Sequence, residues 1–167
     1  MEQKIKREQK AKTPQQALQS LMRMCARSER SSGDALRLMK LWGVDPAEQL
    51  RVLKRLLAER FIDDRRYAEA FVREKSSLTA WGEFKIRAAL QRKGIASPII
   101  AEALAATPQD GSAERLANKL RSKLRTTKYD TLYQLKGKLL RYAASLGHPM
   151  EEAMEAVEQV MSELTDK

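Results

Sequence analysis

The chain has 167 residues, with 32 Lys and Arg against 22 Asp and Glu, and a formal net charge of +10. One cysteine and one histidine exclude an internal disulfide and a Cys/His zinc centre. Aromatic residues make up only 5%, so the core must be built mainly from Leu, Ile, Met and Ala, and with no apolar run near eighteen residues a membrane span is not expected. The charged N-terminus lacks the apolar core of a signal peptide, so a soluble cytoplasmic protein is expected.

Residues 1–13 carry Lys4, Lys6, Arg7, Lys10 and Lys12 and read as a flexible basic arm. Thr13-Pro14-Gln15-Gln16 then opens a helix with an N-cap followed by proline at the first helical position. Helices over about 14–28, 33–42 and 46–60 make a first unit, 14–62, in which Leu50, Leu53, Leu56 and Leu57 keep a helical stripe. A second unit, 63–109, starts at Asp63-Asp64 and carries Tyr67, Ala68, Phe71 and Val72. After a break from Ser76 to Gly82 come Ile86, Ala89 and Leu90, and Pro98 opens its last helix. A third unit, 110–167, carries Leu116, Leu120 and Leu124, then Leu132, Leu135, Leu139 and Leu140 after Asp130-Thr131. Its last helix runs from Pro149 to about Leu164 through Met150, Met154, Val157, Val160 and Met161. Nothing alternates with period two over a useful length, so the chain reads as all-α.

The units repeat. Gly43-Val44-Asp45-Pro46, Gly94-Ile95-Ala96-Ser97-Pro98 and Gly147-His148-Pro149 share a glycine that ends one helix and a proline that opens the next, with the glycines 51 and 53 residues apart. Glycine closes a last turn in the left-handed conformation, and proline lacks only an N–H that has no partner in a first turn. Asp45, Ser97 and, more weakly, His148 are placed to cap, and Asp45 with Glu48 has capping-box spacing. Apolar residues recur at matching offsets: Ala35, Ile86 and Leu139 eight before the glycine, Met39, Leu90 and Ala143 four before, and Leu53, Leu104 and Val157 ten after. Three tandem three-helix repeats of about fifty residues, in an elongated array, are the expected architecture. Such a scaffold presents a surface, which favours binding over catalysis.

No catalytic, metal or cofactor constellation is evident, so an enzyme is not expected. Asp63 and Asp64 lie between predicted helices, where carboxylates cap free N–H groups. Cys25 falls in the apolar run of Leu18, Leu21 and Met22 and reads as structural. Charge is uneven: residues 111–150 hold nine basic and two acidic side chains, whereas 151–167 hold one basic and six acidic. That pattern points to a polyanion or an acidic protein groove as partner. Helical spacing selects the candidates. Lys85 and Arg92 share a face, Lys119 and Lys123 flank one side of the third unit's leucine stripe, and Arg121 and Arg125 flank the other. Arg27 and Arg30 close the first helix, Arg73 and Lys75 the fourth, and Lys93 follows Arg92.

Phe61-Ile62-Asp63-Asp64-Arg65-Arg66-Tyr67-Ala68-Glu69-Ala70-Phe71-Val72, then Trp81-Gly82, then Arg92-Lys93-Gly94-Ile95, resemble the signature of the RecX family of recombination regulators. Ala17-Leu18, Arg27-Ser28-Glu29-Arg30-Ser31 and Ala35-Leu36 fit as well, while Leu146-Gly147-His148 departs from the arginine-glycine-phenylalanine step common in that family. The resemblance covers about residues 15–160. It implies three tandem three-helix repeats and a monomer that restrains the RecA recombinase. Such proteins lie in the groove of the RecA filament on single-stranded DNA, bridging protomers and blocking ATP hydrolysis, strand exchange and extension. Single-stranded DNA would be met directly or through RecA. The alternative is a stand-alone helical nucleic-acid-binding protein, since residues 33–60 can pass for a helix-turn-helix. The threefold recurrence of that fragment explains it without a recognition role.

Overall fold

The computed structural model describes residues 10–166. Among them nine α-helices follow one another without a strand: α1 (Pro14–Arg27), α2 (Ser32–Leu41), α3 (Pro46–Ala58), α4 (Asp64–Leu78), α5 (Glu83–Arg92), α6 (Ser97–Ala106), α7 (Ser112–Thr126), α8 (Leu132–Ser145) and α9 (Met150–Thr165). The fold is all-α and built from tandem three-helix repeats. Gly43, Gly94 and Gly147, between the second and third helix of each triplet, all take positive φ, at 72°, 76° and 88°. A side chain there would be strained, which is why the three punctuation marks share a glycine.

Local chemistry accounts for the helix starts, with some departures from the sequence expectation. Thr13 forms a complete capping box with Gln16. Asp45 caps α3, but Glu48 bonds Arg51 at 2.8 Å instead of closing a box. Ala96, not Ser97, is the N-cap of α6, and Pro149, not His148, that of α9. The break expected from Ser76 starts later, because α4 continues to Leu78. Ser76 donates to the Val72 carbonyl at 2.7 Å, Ser77 to that of Arg73, and Thr79 to that of Lys75 at 2.6 Å. Hydroxyls satisfied four residues back no longer compete with the helix.

The described residues form two compact units, one reaching to Tyr67 and including Lys93–Ile95, the other comprising Ala68–Arg92 and the residues from Ala96 onward. The first is cored by Ala17, Leu18, Leu21, Ala35, Met39, Val44, Val52, Leu56 and Ile62. Its buried face on α3 runs through Val52 and Leu56, so Leu50 and Leu57 face solvent, contrary to the stripe expected for them. In the second unit α7, α8 and α9 close around Leu116, Leu120, Leu135, Leu139, Val157 and Val160. Leu132, Met150 and Met154, expected on the apolar faces, are exposed. The six residues four and eight before the glycines are all buried, while ten after them only Val157 is; Leu53 and Leu104 are half-buried.

Close backbone approaches fix the corners within each unit. In the first, the Ser31 hydroxyl donates to the Lys93 carbonyl at 2.9 Å, and a Cβ on Gly33 would overlap that oxygen. In the second, Gly82 N–H donates to the Leu146 carbonyl at 2.7 Å, Phe84 N–H to that of Gly147 at 3.0 Å, and a Cβ on Gly82 would overlap Gly147. His148 is buried there, with Nε2 2.7 Å from the Ala80 carbonyl and Nδ1 3.3 Å from Glu152. Asp63 and Asp64 are caps: Asp63 accepts from Arg66 N–H at 3.1 Å, and Asp64 from Ser32 N–H at the start of α2 at 2.8 Å. The backbone bond from Arg66 and the nearby cations, against some burial, hold the Asp63 carboxyl below its ordinary range.

Candidate partner-binding surface

The basic residues selected from the sequence differ sharply in what they touch. In the first unit Lys93 places Nζ 3.2 Å from the buried Asp34 carboxylate, which Arg37 also meets at 3.3 Å. Burial raises the cost of ionising Asp34, yet the bonds from Lys93 and Arg37 hold its carboxyl below the usual range. Lys93 is therefore engaged internally. Arg27 is exposed in the last turn of α1, while Arg30 is half-buried with Nε enclosed. Burial pushes the nearby Cys25 thiol up, away from the thiolate a nucleophile needs.

In the second unit Arg121 is clamped. It donates to Glu163 at 2.6 and 3.0 Å, to Glu114 at 2.8 Å and to Asn118 at 2.7 Å, tying α7 to α9. These hydrogen bonds raise its pKa further above the ordinary arginine value. Lys75 and Lys85 come together on Trp81, with Nζ 5.1 and 4.4 Å from the ring centroid. Phe71 packs edge-on against the same ring at 6.3 Å, and Lys75 also lies 5.5 Å from Phe71 and pairs with Glu74 at 3.5 Å. A cation over an aromatic face is held in place while still presenting its charge. Trp81 also walls a pocket of about 450 Å³ whose rim carries Glu83, Glu152 and Glu155. That acidic rim does not extend the basic surface. Arg73 and Arg92 are exposed on α4 and α5, two residues before Lys75 and one before Lys93.

The largest grouping lies on α7, α8 and the loop joining them. Lys123 stands 5.1 Å from the Tyr142 ring centroid, Arg125 is exposed in the last turn of α7, and Lys119 is half-buried one turn before Lys123. The sequence reading overlooked their neighbours. Lys138 donates to the Lys128 carbonyl at 2.6 Å, pinning the loop to α8. Tyr133, Gly137 and Arg141 follow one another at four-residue spacing along α8, with Tyr133 88% exposed and Tyr129 in the loop 42% exposed. The signal for these was present as the basic excess of residues 111–150 interleaved with tyrosines. It passed unread because the tyrosines lie off the leucine stripe. The cations of this stretch can meet phosphates, and its exposed tyrosines can stack planar rings. Most acids of residues 111–167 lie on α9, where Glu151, Glu152, Glu155 and Glu158 are exposed and Glu158 meets Lys136 of α8 at 3.5 Å.

Residues 63–104 match the family model described as RecX, second three-helix domain. The chain is 32% identical over 127 residues to the regulatory protein RecX of Clostridium botulinum (strain Alaska E43 / Type E3), an alignment covering 74% of this chain and 58% of that protein. It is 27% identical over 147 residues to the regulatory protein RecX of Clostridium beijerinckii, covering 86% of this chain and 68% of that one. The chain thus spans less than two thirds of the length of the first of these relatives. The crystal structure of RecX from Lactobacillus salivarius superposes with a TM-score of 0.74 at 15% identity, covering 88% of this chain and 96% of that one. A second crystal structure, of regulatory protein RecX, gives 0.70 at 22% identity, covering 92% and 72%. These likenesses show the fold, and with the sequence matches they place the molecule: the chain belongs to the RecX family of regulatory proteins.

Proposed function

We propose that this chain is a negative regulator of a RecA-type recombinase, acting in the cytoplasm as a monomer. It binds the groove of the recombinase filament on single-stranded DNA and inhibits ATP hydrolysis, strand exchange and filament extension. The observation that carries this reading is the run of cations and tyrosines along α7, α8 and their loop, in which Lys123 lies over Tyr142 and Lys138 bonds the Lys128 carbonyl, with Arg125, Tyr129, Tyr133 and Arg141 exposed in the same stretch of chain. A filament groove offers acidic side chains and DNA phosphates, and such a run is complementary to both. Lys75 and Lys85 on Trp81 supply a second cationic point on the same unit. Family membership supports the regulatory role.

The test is the single-stranded-DNA-dependent ATPase of the cognate recombinase, titrated with this protein. Inhibition well below one molecule per recombinase protomer is expected for a protein that stops filament growth. No inhibition by folded protein would overturn the reading, and salt-sensitive DNA binding in the absence of recombinase would then favour a stand-alone nucleic-acid-binding protein.

A further inference from the structure

The three glycine corners between the second and third helices make one recurring contact, and in the first repeat it comes from an unexpected source. In each, the residue before the glycine offers its carbonyl to a donor from an earlier segment of chain. Leu146 accepts from Gly82 N–H at 2.7 Å, and Lys93 accepts from the Ser31 hydroxyl at 2.9 Å. Both donors sit at a corner between the first and second helices of the preceding triplet. At the first glycine the donor comes instead from the segment just before α1: Trp42 accepts from Lys12 N–H at 3.0 Å.

The steric half of the contact recurs as well. A Cβ on Gly94 would lie 3.0 Å from the Cα of Gly33, and one on Gly147 would overlap Lys85. At Gly43 the neighbour is Ala11, 3.1 Å from where a Cβ would stand. Two small residues again meet at the corner. Lys12 then folds its side chain over Trp42, 3.8 Å from the ring centroid, and donates to the Ser20 hydroxyl at 3.0 Å.

We infer that residues 10–13 are a surrogate corner: a strap by which the chain closes, on itself, the docking surface that in the other two repeats receives the corner of the repeat before. The surface selects a segment with a small residue, Ala11, next to a free backbone donor, Lys12. Unpaired, the Trp42 carbonyl would have to find its partner in solvent, and the indole would lose its cation. The strap leads directly into the capping box at Thr13, so the same four residues close the corner and start α1. The basic arm expected over residues 1–13 thus has a structural end: residues 1–9 lie outside the described residues, but Lys12 is half-buried and bonded to Trp42, and Ala11, though exposed, stands beside Gly43.

The experiment is amide hydrogen exchange on the full chain, read at Lys12. Protection of about tenfold or more over the unstructured rate is expected, since exchange there requires the strap to open. In a Trp81→Phe background, where Trp42 is the remaining tryptophan, Lys12→Pro, which removes the donor, should shift Trp42 emission to the red. Lys12→Ala keeps the amide bond and should retain protection at residue 12 while losing the effect of the cation on Trp42. An unprotected Lys12 amide in the native full chain would overturn the proposal, whatever the variants do.

Discussion

Gly82 and Gly147 meet backbone to backbone, 65 residues apart in the chain, so that neither tolerates a side chain. A Cβ on Gly82 would overlap the Gly147 carbonyl, and one on Gly147 would overlap the amide of Lys85 and take a left-handed φ of 88°. The contact lets Gly82 N–H and Phe84 N–H reach the Leu146 and Gly147 carbonyls and seats His148 against Ala80. Gly82→Ala must therefore separate two hydrogen-bonded corners. A loss of at least about 2 kcal/mol in urea unfolding is expected, at the upper end of ordinary overpacking. Gly137→Ala, on an open stretch of α8, should be neutral or slightly stabilising by comparison.

Acid should weaken the first unit through Asp34. Its carboxyl is held below the usual range by Lys93 and Arg37, so its folded pKa lies under its unfolded value. The stabilisation is complete above the ordinary carboxylate pKa of about 4 and is lost as pH falls through the depressed folded value. Urea midpoints of the native protein and Asp34→Asn, compared from pH 7 to pH 3, should converge on acidification. A constant difference across that range would show that the carboxylate charge is not what Lys93 is there to meet.

The helices were legible because their signals are local. Thr13 with Gln16, Asp45 before Pro46 and the glycines at 43, 94 and 147 each announce an end within a few residues. Ala35, Ile86 and Leu139 could be picked as core by offset alone. What escaped depends on partners remote in sequence. Nothing near Gly33 or Gly82 reveals that each faces a second glycine more than sixty residues on. Arg121 looks like a surface cation until Glu163, 42 residues later, is brought against it. Leu50 and Leu57 joined an apparent stripe because α3 is leucine-rich on two faces, and only packing decides which face is covered.

Arg121 and Lys123 lie two positions apart on α7 but should respond differently to mutation. Arg121→Ala removes the two hydrogen bonds that Arg121 gives Glu163 between α7 and α9. A lower melting temperature is expected, though less of a drop than for Leu120→Ala, which deletes a fully buried side chain at about 2–5 kcal/mol. Lys123→Ala gives up only a contact with the Tyr142 ring and should melt close to the native protein. Differential scanning calorimetry of the two variants separates a structural clamp from a surface cation.

Reversing the charges exposed on α7 and α8 tests what those cations are for. Lys123→Glu, Arg125→Glu and Arg141→Glu alter side chains that flank the buried Leu120, Leu135 and Leu139 without entering the core. Each alone should change stability by no more than about 0.5 kcal/mol, as surface substitutions do. If they meet phosphates, the combined variant should lose inhibition of the recombinase at moderate salt, and the salt dependence of any direct DNA binding should flatten by roughly one unit per contact removed. Tyr133→Ala removes an exposed ring instead of a charge, so it should weaken single-stranded DNA binding by about 1–3 kcal/mol if a base stacks there, while leaving the salt slope unchanged. Unaltered inhibition by a folded triple variant would assign these cations to solvation and move the contact surface to Lys75 and Lys85 around Trp81.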